Sequence, residues 1–249
     1  MGCREELSSI REGDFVLIEY ELRVKETGEL IDTTSEDEAR KAGIYDASER
    51  YGPRLVIVGE GRLIPGLEKA ISQMSEGEEK SLEIPPEEAY GKRDPSKIRV
   101  MPLNALRRRG VEEIEPGKII EIDGKMAIIR SITGGRVLVD FNHPLAGKTI
   151  VAKIKVVKIL RDLAEKVLHL LLRRVPRLSE KDVKVIYDKD AKRITIEFSS
   201  KALEIADLQV VKRILVREIE KYLKDNVKLV EFREIVPLET EEAKRVSKT

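Results

Sequence analysis

The sequence predicts an α+β protein built from three units, one of them nested inside another. Three observations predict this class. Strand patterns fill residues 14–90 and return at 144–160. The stretch between them carries its own short strands, joined by glycine-containing hairpins. The remainder, 161–249, reads helix–strand–strand–helix–strand, an αββαβ order. A chain of 249 residues has room for one large domain or two to three small ones. The expected division is 1–90 plus 144–160 as the main domain, 91–143 as an inserted β-rich domain and 161–249 as a C-terminal α/β domain.

Asp14 to Val24 sets Val16, Ile18, Tyr20, Leu22 and Val24 on one face and Glu19, Glu21 and Arg23 on the other, which predicts a half-buried strand. A turn at Glu26-Thr27-Gly28-Glu29 leads into an extended Leu30 to Thr34. Residues 35–54 are polar with scattered Ala and Tyr, and read as a loop with one helical turn. Leu55 to Val58 is a short buried strand. Gly59 to Met74 enters through Leu63-Ile64-Pro65-Gly66 and becomes a short amphipathic helix, with Leu67, Ala70, Ile71 and Met74 at i, i+3, i+4 and i+7. Pro65 fixes its own φ, and Gly66 permits a tight turn or a close approach. Gly77 stands where a left-handed cap would end the helix. Lys80 to Ile84 is a strand stopped by Pro85-Pro86.

Tyr90-Gly91 then turns within a polar loop, and the character changes. Lys97 to Val100 is extended and Pro102 to Arg109 helical. Three strands follow, Lys118 to Ile122, Met126 to Ile132 and Arg136 to Phe141, with Asp123-Gly124 and Gly134-Gly135 as hairpin turns. Pro144 to Gly147 and Tyr90-Gly91 fit as the hinges of a domain inserted at a loop tip. Ile150 to Leu160 alternates again, with Ile150, Ala152, Ile154 and Val156 together. Beyond it lie a helix over Asp162 to Arg174 ended by Pro176, and a hairpin of Val183 to Tyr187 with Arg193 to Phe198. A long amphipathic helix over Asp207 to Leu223, a strand over Val227 to Val236 and a charged, frayed tail after Pro237 complete the chain.

Composition excludes several classes. Net charge is +1, with 47 Lys+Arg against 46 Asp+Glu, so global charge points to neither nucleic acid nor membrane. No apolar run approaches the roughly 18 residues that span a bilayer. The start, MGCREELSS, has no apolar signal core and lacks the Ser or Thr of a myristoylation signal, so a cytoplasmic location is expected. One Cys forms no internal disulfide, and one Cys with two His cannot build the usual zinc sites. Charged residues at 37%, nearly balanced, with no Trp, are the pattern of ion-pair-laced proteins that work hot.

Taken in order, YELRV…GELIDTT (20–34), VGEGRLIPGLEKAISQM (58–74), PPEEAYGKRDP (85–95), VLVDFNHPLAG (137–147) and IVAKIKVVKIL (150–160) resemble the FKBP-type peptidyl-prolyl isomerases, and within them the SlyD-like branch. The resemblance implies an antiparallel sheet wrapped around the short helix, with a pocket between the two. The excursion at about 97–142 then corresponds to the insert-in-flap domain, a chaperone module. The C-terminal region looks like the extra domain of long archaeal-type members, which supports homodimerisation. Carried over by position, Tyr20 and Asp32 match the pocket tyrosine and aspartate. Leu63 and Ile64 match the rim pair whose backbone binds the ligand carbonyl, Leu67 the floor and Tyr90 the hydrogen-bonding flap tyrosine. Ile31 and Ala152 stand where the family usually has Phe, and 35–54 is longer than in the minimal domain, with no aromatic that aligns to the pocket. A less aromatic pocket is implied.

What the resemblance implies for function is X-Pro isomerisation of unfolded or partly folded polypeptides in a dry apolar cleft, with no covalent step, cofactor or metal. Leu67 and Ile64 would grip the proline ring, while Tyr90 and the Ile64 backbone would orient the flanking carbonyl. In the insert, Met101, Leu103, Leu106, Met126, Ile128 and Ile129 are candidates for holding apolar segments of clients, or are its ordinary core. Asp32 either polarises the pocket or is a structural partner of Tyr20. His143 reads as a turn residue. Two rivals stand beside this reading. One is a binding-only chaperone. The other is a nucleic-acid module on Arg173, Arg174, Arg177, Lys181, Lys212, Arg213 and Arg217, whose alternative is a solvated face interleaved with Glu204, Glu218 and Glu220.

Overall fold

The computed structural model describes residues 10–236; the charged tail after Pro237 lies outside them. Its first sheet uses β1 (Phe15–Val24), β2 (Leu30–Thr33), β3 (Arg54–Ile57), β4 (Glu79–Ile84) and β9 (Ile150–Leu160). The path is β2-β1-β9-β4, all antiparallel, with β3 pairing β1 beyond β2. The central strand β9 thus comes from beyond the insert. In the 35–54 segment, α1 (Glu36–Lys41) is capped by the Ser35 hydroxyl accepting from the Glu38 N–H.

Against the sheet lies α2 (Pro65–Ile71). Leu67 and Ile71 are fully buried with Val16, Ile18, Tyr20, Ile84, Ile150, Ala152 and Ile154. The helix is one turn shorter than its apolar spacing suggests. It closes at Ser72, so Gly77 is not its cap. Gly77 sits in the turn before β4, at φ 82°, and donates its N–H to the Val156 carbonyl at 2.8 Å. Gly66 is needed for close approach: a Cβ there would lie 2.4 Å from Ile84 Cγ2 and 3.3 Å from Glu88 Cβ.

The insert is a separate four-stranded sheet in the order β5-β8-β7-β6, formed by β5 (Ile98–Pro102), β6 (Ile119–Ile122), β7 (Lys125–Thr133) and β8 (Arg136–Asp140), with α3 (Leu103–Arg108) beside it. Both hairpins turn with two consecutive positive φ values, 51° and 75° at Asp123-Gly124 and 58° and 75° at Gly134-Gly135, as a two-residue turn matching strand twist requires. Its ends are pinned together: the Gly147 N–H donates to the Gly91 carbonyl at 2.8 Å, and Asn142 exchanges hydrogen bonds of 2.9 Å with both backbone groups of Asp94. Beside them the enclosed carboxylate of Asp140 accepts from Arg93 at 2.6 Å and Arg130 at 3.0 Å. Burial pushes this carboxyl up, but its hydrogen bonds from Asn142 and Arg130 outweigh that and hold it at about 2.

The C-terminal unit has α4 (Leu163–Leu172), β10 (Val183–Asp188), β11 (Arg193–Phe198), α5 (Leu208–Leu223) and β12 (Leu229–Glu234), with sheet order β10-β11-β12. The parallel β11–β12 pair needs a crossover, and α5 supplies it. This unit packs directly on the back of the first sheet. Phe15, Leu17, Leu55, Ile57 and Leu160 share one apolar cluster with Val167, Leu170, Leu171, Leu215 and Ile219. The N-terminal half of β1 is therefore buried on both faces, where the alternation predicted one.

Candidate active site

The site residues converge at the middle of β1, between the stretch that pairs with β3 (Phe15–Ile18) and the stretch that pairs with β2 (Glu21–Arg23). Tyr20 points to the α2 side of the sheet, and its ring is buried. Its hydroxyl donates to Asp32 Oδ2 on β2 at 2.7 Å. Burial raises the phenol pKa, and the Asp32 charge adds to that against the Arg54 charge, so the group stays a protonated donor at neutral pH. The Arg54 guanidinium, at the start of β3, donates to the same phenol oxygen and stands 5.4 Å from the ring centroid. It also lies 3.7 Å from Asp32 and from Glu49. Residues 35–54 thus place a cation, not an aromatic ring, over Tyr20. Nothing in the pattern of that polar segment distinguishes Arg54 from its neighbours.

Ile31, Leu63, Ile64 and Tyr90 lie half-buried around the same cluster. The Ile64 carbonyl caps α2 by accepting from Leu67 and Glu68, whereas no described residue accepts from its N–H. The Tyr90 hydroxyl likewise has no hydrogen bond among the described residues, and burial followed by the Asp32 charge raises its pKa. Tyr90 is held from behind by His143, whose ring stacks on it at 4.8 Å and 3°. His143 is also the turn residue expected, its Nδ1 accepting from the Leu145 N–H at 3.2 Å.

Burial sets two of the expected contact residues out of reach. Leu67 and Ala152 are both enclosed in the core at 0% exposure, so neither presents a surface to a ligand. Asp32, Arg54 and Leu63, beside Tyr20, reach the surface. In the insert, Met101 and Leu103 pack on the internal cluster of Leu106, Ile120, Ile122, Ala127, Ile129, Val137 and Val139. Of the six named residues, Met126 and Ile128 face away from that cluster, Met126 exposed and Ile128 half-buried. They are joined there by Val100 and Ile119, at 61% and 54% exposure, which the sequence reading missed. Alternation from the inward, half-buried Met101 marks Val100, but the adjacent Ile119-Ile120 offers none for Ile119.

The basic residues of the nucleic-acid reading are also engaged. Arg173 binds Glu60 at 2.9 Å and Glu218 at 2.6 Å, Arg174 binds Glu218, and Lys212 is buried against Glu234 at 2.5 Å. These three of the seven basic residues are thus neutralised by carboxylates and not presented to phosphates. Among the described residues, no group of three His, Cys, Asp or Glu could hold a metal ion, and no helix is long and apolar enough to cross a membrane.

An antiparallel sheet with a short helix packed on its apolar face, and the Tyr20–Asp32 pair at the edge of that core, define the architecture of the site. The comparisons give its class. Residues 7–118 match the FKBP-type peptidyl-prolyl cis-trans isomerase family and 99–145 match the FKBP26 IF domain. A short-type peptidyl-prolyl cis-trans isomerase of Methanocaldococcus jannaschii is 41% identical over 60% of this chain and 94% of that protein. The SlyD isomerase of Helicobacter pylori is 32% identical over 61% of this chain and 74% of its own. A Pseudomonas fluorescens relative, described as a probable FKBP-type 16 kDa isomerase, is 27% identical over 58% and 87%. The chain belongs to the FKBP-type peptidyl-prolyl cis-trans isomerases.

Proposed function

We propose that the chain turns over X-Pro bonds of unfolded polypeptides and that its insert holds those chains while it does so. The isomerase reading is carried by one observation: the Ile64 N–H and Tyr90 hydroxyl, unbonded among the described residues, lie around the same buried cluster as the Tyr20–Asp32 pair. Rotation about the peptide C–N bond faces a barrier of roughly 18–20 kcal/mol from amide resonance. The planar form is the more charge-separated, so water favours it over the twisted one. A water-poor cleft removes that preference. The proline ring would rest on Ile64 and Leu63, with Leu67 setting the depth from beneath. The Ile64 N–H and Tyr90 hydroxyl would hold the flanking carbonyl. Each tenfold in rate needs about 1.4 kcal/mol of preference for the twisted amide, which is within the reach of one or two such hydrogen bonds.

The insert would contribute capture. Val100, Ile119, Met126 and Ile128 form an exposed apolar sheet face opposite its core. Refolding of a proline-limited protein tests both parts. Tyr90→Ala is expected to slow refolding and short-peptide turnover alike, by about tenfold for a lost hydrogen bond and its packing. Deleting 97–142 is expected to cripple refolding catalysis while sparing the peptide. Equal losses in both assays would remove the capture role.

The C-terminal unit is assigned homodimerisation, supported by the exposed Val210 of α5 and Leu229 of the edge strand β12. Sedimentation equilibrium is expected to give twice the 28.3 kDa chain mass, and a monomer mass overturns it. Balanced charge supports a heat-stable cytoplasmic protein; melting near about 50 °C, in the ordinary mesophile range, would contradict heat stability.

A further inference from the structure

The donor that Tyr90 would offer to a substrate carbonyl is not aimed by a bond of its own. Its hydroxyl has no hydrogen-bond partner among the described residues. Its ring is half-buried against the cluster that holds Tyr20 and Leu67. A phenol on such a ring can swing about its side-chain torsions, and orientations given up on binding cost free energy. A ring fixed beforehand avoids that cost.

His143 stands where it can fix the ring. The two ring centroids are 4.8 Å apart and the planes differ by 3°. Nearly parallel rings at that separation form an offset stack, one of the two favoured arrangements of aromatic pairs. The imidazole is itself held. Its Nδ1 accepts from the Leu145 N–H at 3.2 Å, and the His143 carbonyl accepts from the Ala146 N–H at 2.9 Å. The same turn is tied to the flap. The Gly147 N–H donates to the Gly91 carbonyl at 2.8 Å, and the Gly91 N–H to the Pro86 carbonyl at 2.7 Å. Imidazole and phenol thus stand on one hydrogen-bonded frame. All of these bonds lie outside 97–142, the segment whose deletion is expected to spare peptide turnover.

We infer that His143 is a positioning residue of the isomerase, its ring holding Tyr90 so that the hydroxyl meets the carbonyl flanking the proline. The inference rests on the isomerase reading of the Tyr20–Asp32 pocket with Tyr90 as a donor. His143 acts through Tyr90 and not on the polypeptide itself. Histidine here combines two features that other side chains separate. Asn keeps an acceptor for the N–H two residues on, as in an Asx turn, and loses the ring. Phe keeps a stacking ring and loses the acceptor.

The test is turnover of a short proline peptide by the full chain and its variants. His143→Asn is expected to lower turnover about three- to tenfold, the worth of one aromatic stack. His143→Phe is expected to bring it back to within about twofold of the natural chain. In a Tyr90→Phe background, which has no hydroxyl left to aim, His143→Asn is expected to change turnover by less than about twofold. Full turnover in His143→Asn overturns the inference. So does a His143→Phe chain as slow as His143→Asn, because the loss then belongs to the turn and not to the ring. An undiminished loss in the Tyr90→Phe background overturns it as well. Each of these outcomes leaves the isomerase reading intact. No turnover by the natural chain overturns that reading and this inference with it.

Discussion

Gly66 illustrates how little room the site leaves at the residue scale. The glycine stands between the rim residue Ile64 and the base residue Leu67, and it faces both Ile84 and the segment that leads to Tyr90. Gly66→Ala forces a methyl to within 2.4 Å of Ile84 Cγ2. The expected outcome is a loss of about 1–3 kcal/mol, as for overpacking elsewhere, read from the denaturation midpoint. A fall in turnover should accompany it, since Glu88 must shift and Tyr90 lies two residues on. Unchanged stability would mean that β4 and α2 are not held together as described. Much at this scale was legible in the sequence. The proline–glycine entry announced a close approach, and Tyr20 with Asp32 could be named by position. Arg54 could not, because a lone arginine in a polar loop carries no periodic signal. Nor could the stacking of His143 on Tyr90, which joins residues 53 positions apart.

The insert and its junction set the expectations at the element scale. Asp140 ends β8 with its carboxylate enclosed between Arg93 and Arg130 and hydrogen-bonded to Asn142. A carboxyl held at about 2 when folded, against 3.8 in the open chain, stabilises the folded form above the higher value. That contribution disappears as pH falls through the lower one. Asp140→Asn should therefore be less stable than the natural chain near neutral pH, and the gap should close as pH drops from about 4 to about 2. Melting curves across that range check it; a gap independent of pH would exclude a charged Asp140. Element types were legible because most strands carry a clean period of two, and α2, α4 and α5 a helical one. The outward face of the insert was not, since Ile119-Ile120 offers two adjacent apolar residues and only the pairing to Ile128 and Ala127 tells which is buried.

At the scale of the whole molecule, the isomerase sheet and the C-terminal unit share one core and one ion cluster. Arg173, Glu60 and Glu218 have side chains exposed by only 7%, 8% and 10%, and Tyr222 adds a hydrogen bond of 3.0 Å to Glu60. Arg173→Met removes the cation between the two carboxylates but leaves Arg62 beside Glu60 and Arg174 on Glu218, and should cost about 1–3 kcal/mol. Chemical denaturation should show the sheet and the C-terminal unit melting in one transition. Two separate transitions would contradict the shared core. A hint was present in the sequence: Phe15-Val16-Leu17-Ile18 is an unbroken apolar run, which a strand needs only when both of its faces are covered. What covers the second face depends on residues from 163 onward, and no local pattern connects them.

Such long-range pairing bears on how the chain is made. Synthesis proceeds from the amino end, so β1 leaves the ribosome well before β9, the strand that must lie beside it, and earlier still than the helices that seal its back. Until those later segments emerge, the nascent chain displays two sticky faces and an unpaired edge. During its own translation, an isomerase proposed to act on unfinished chains is itself such a chain.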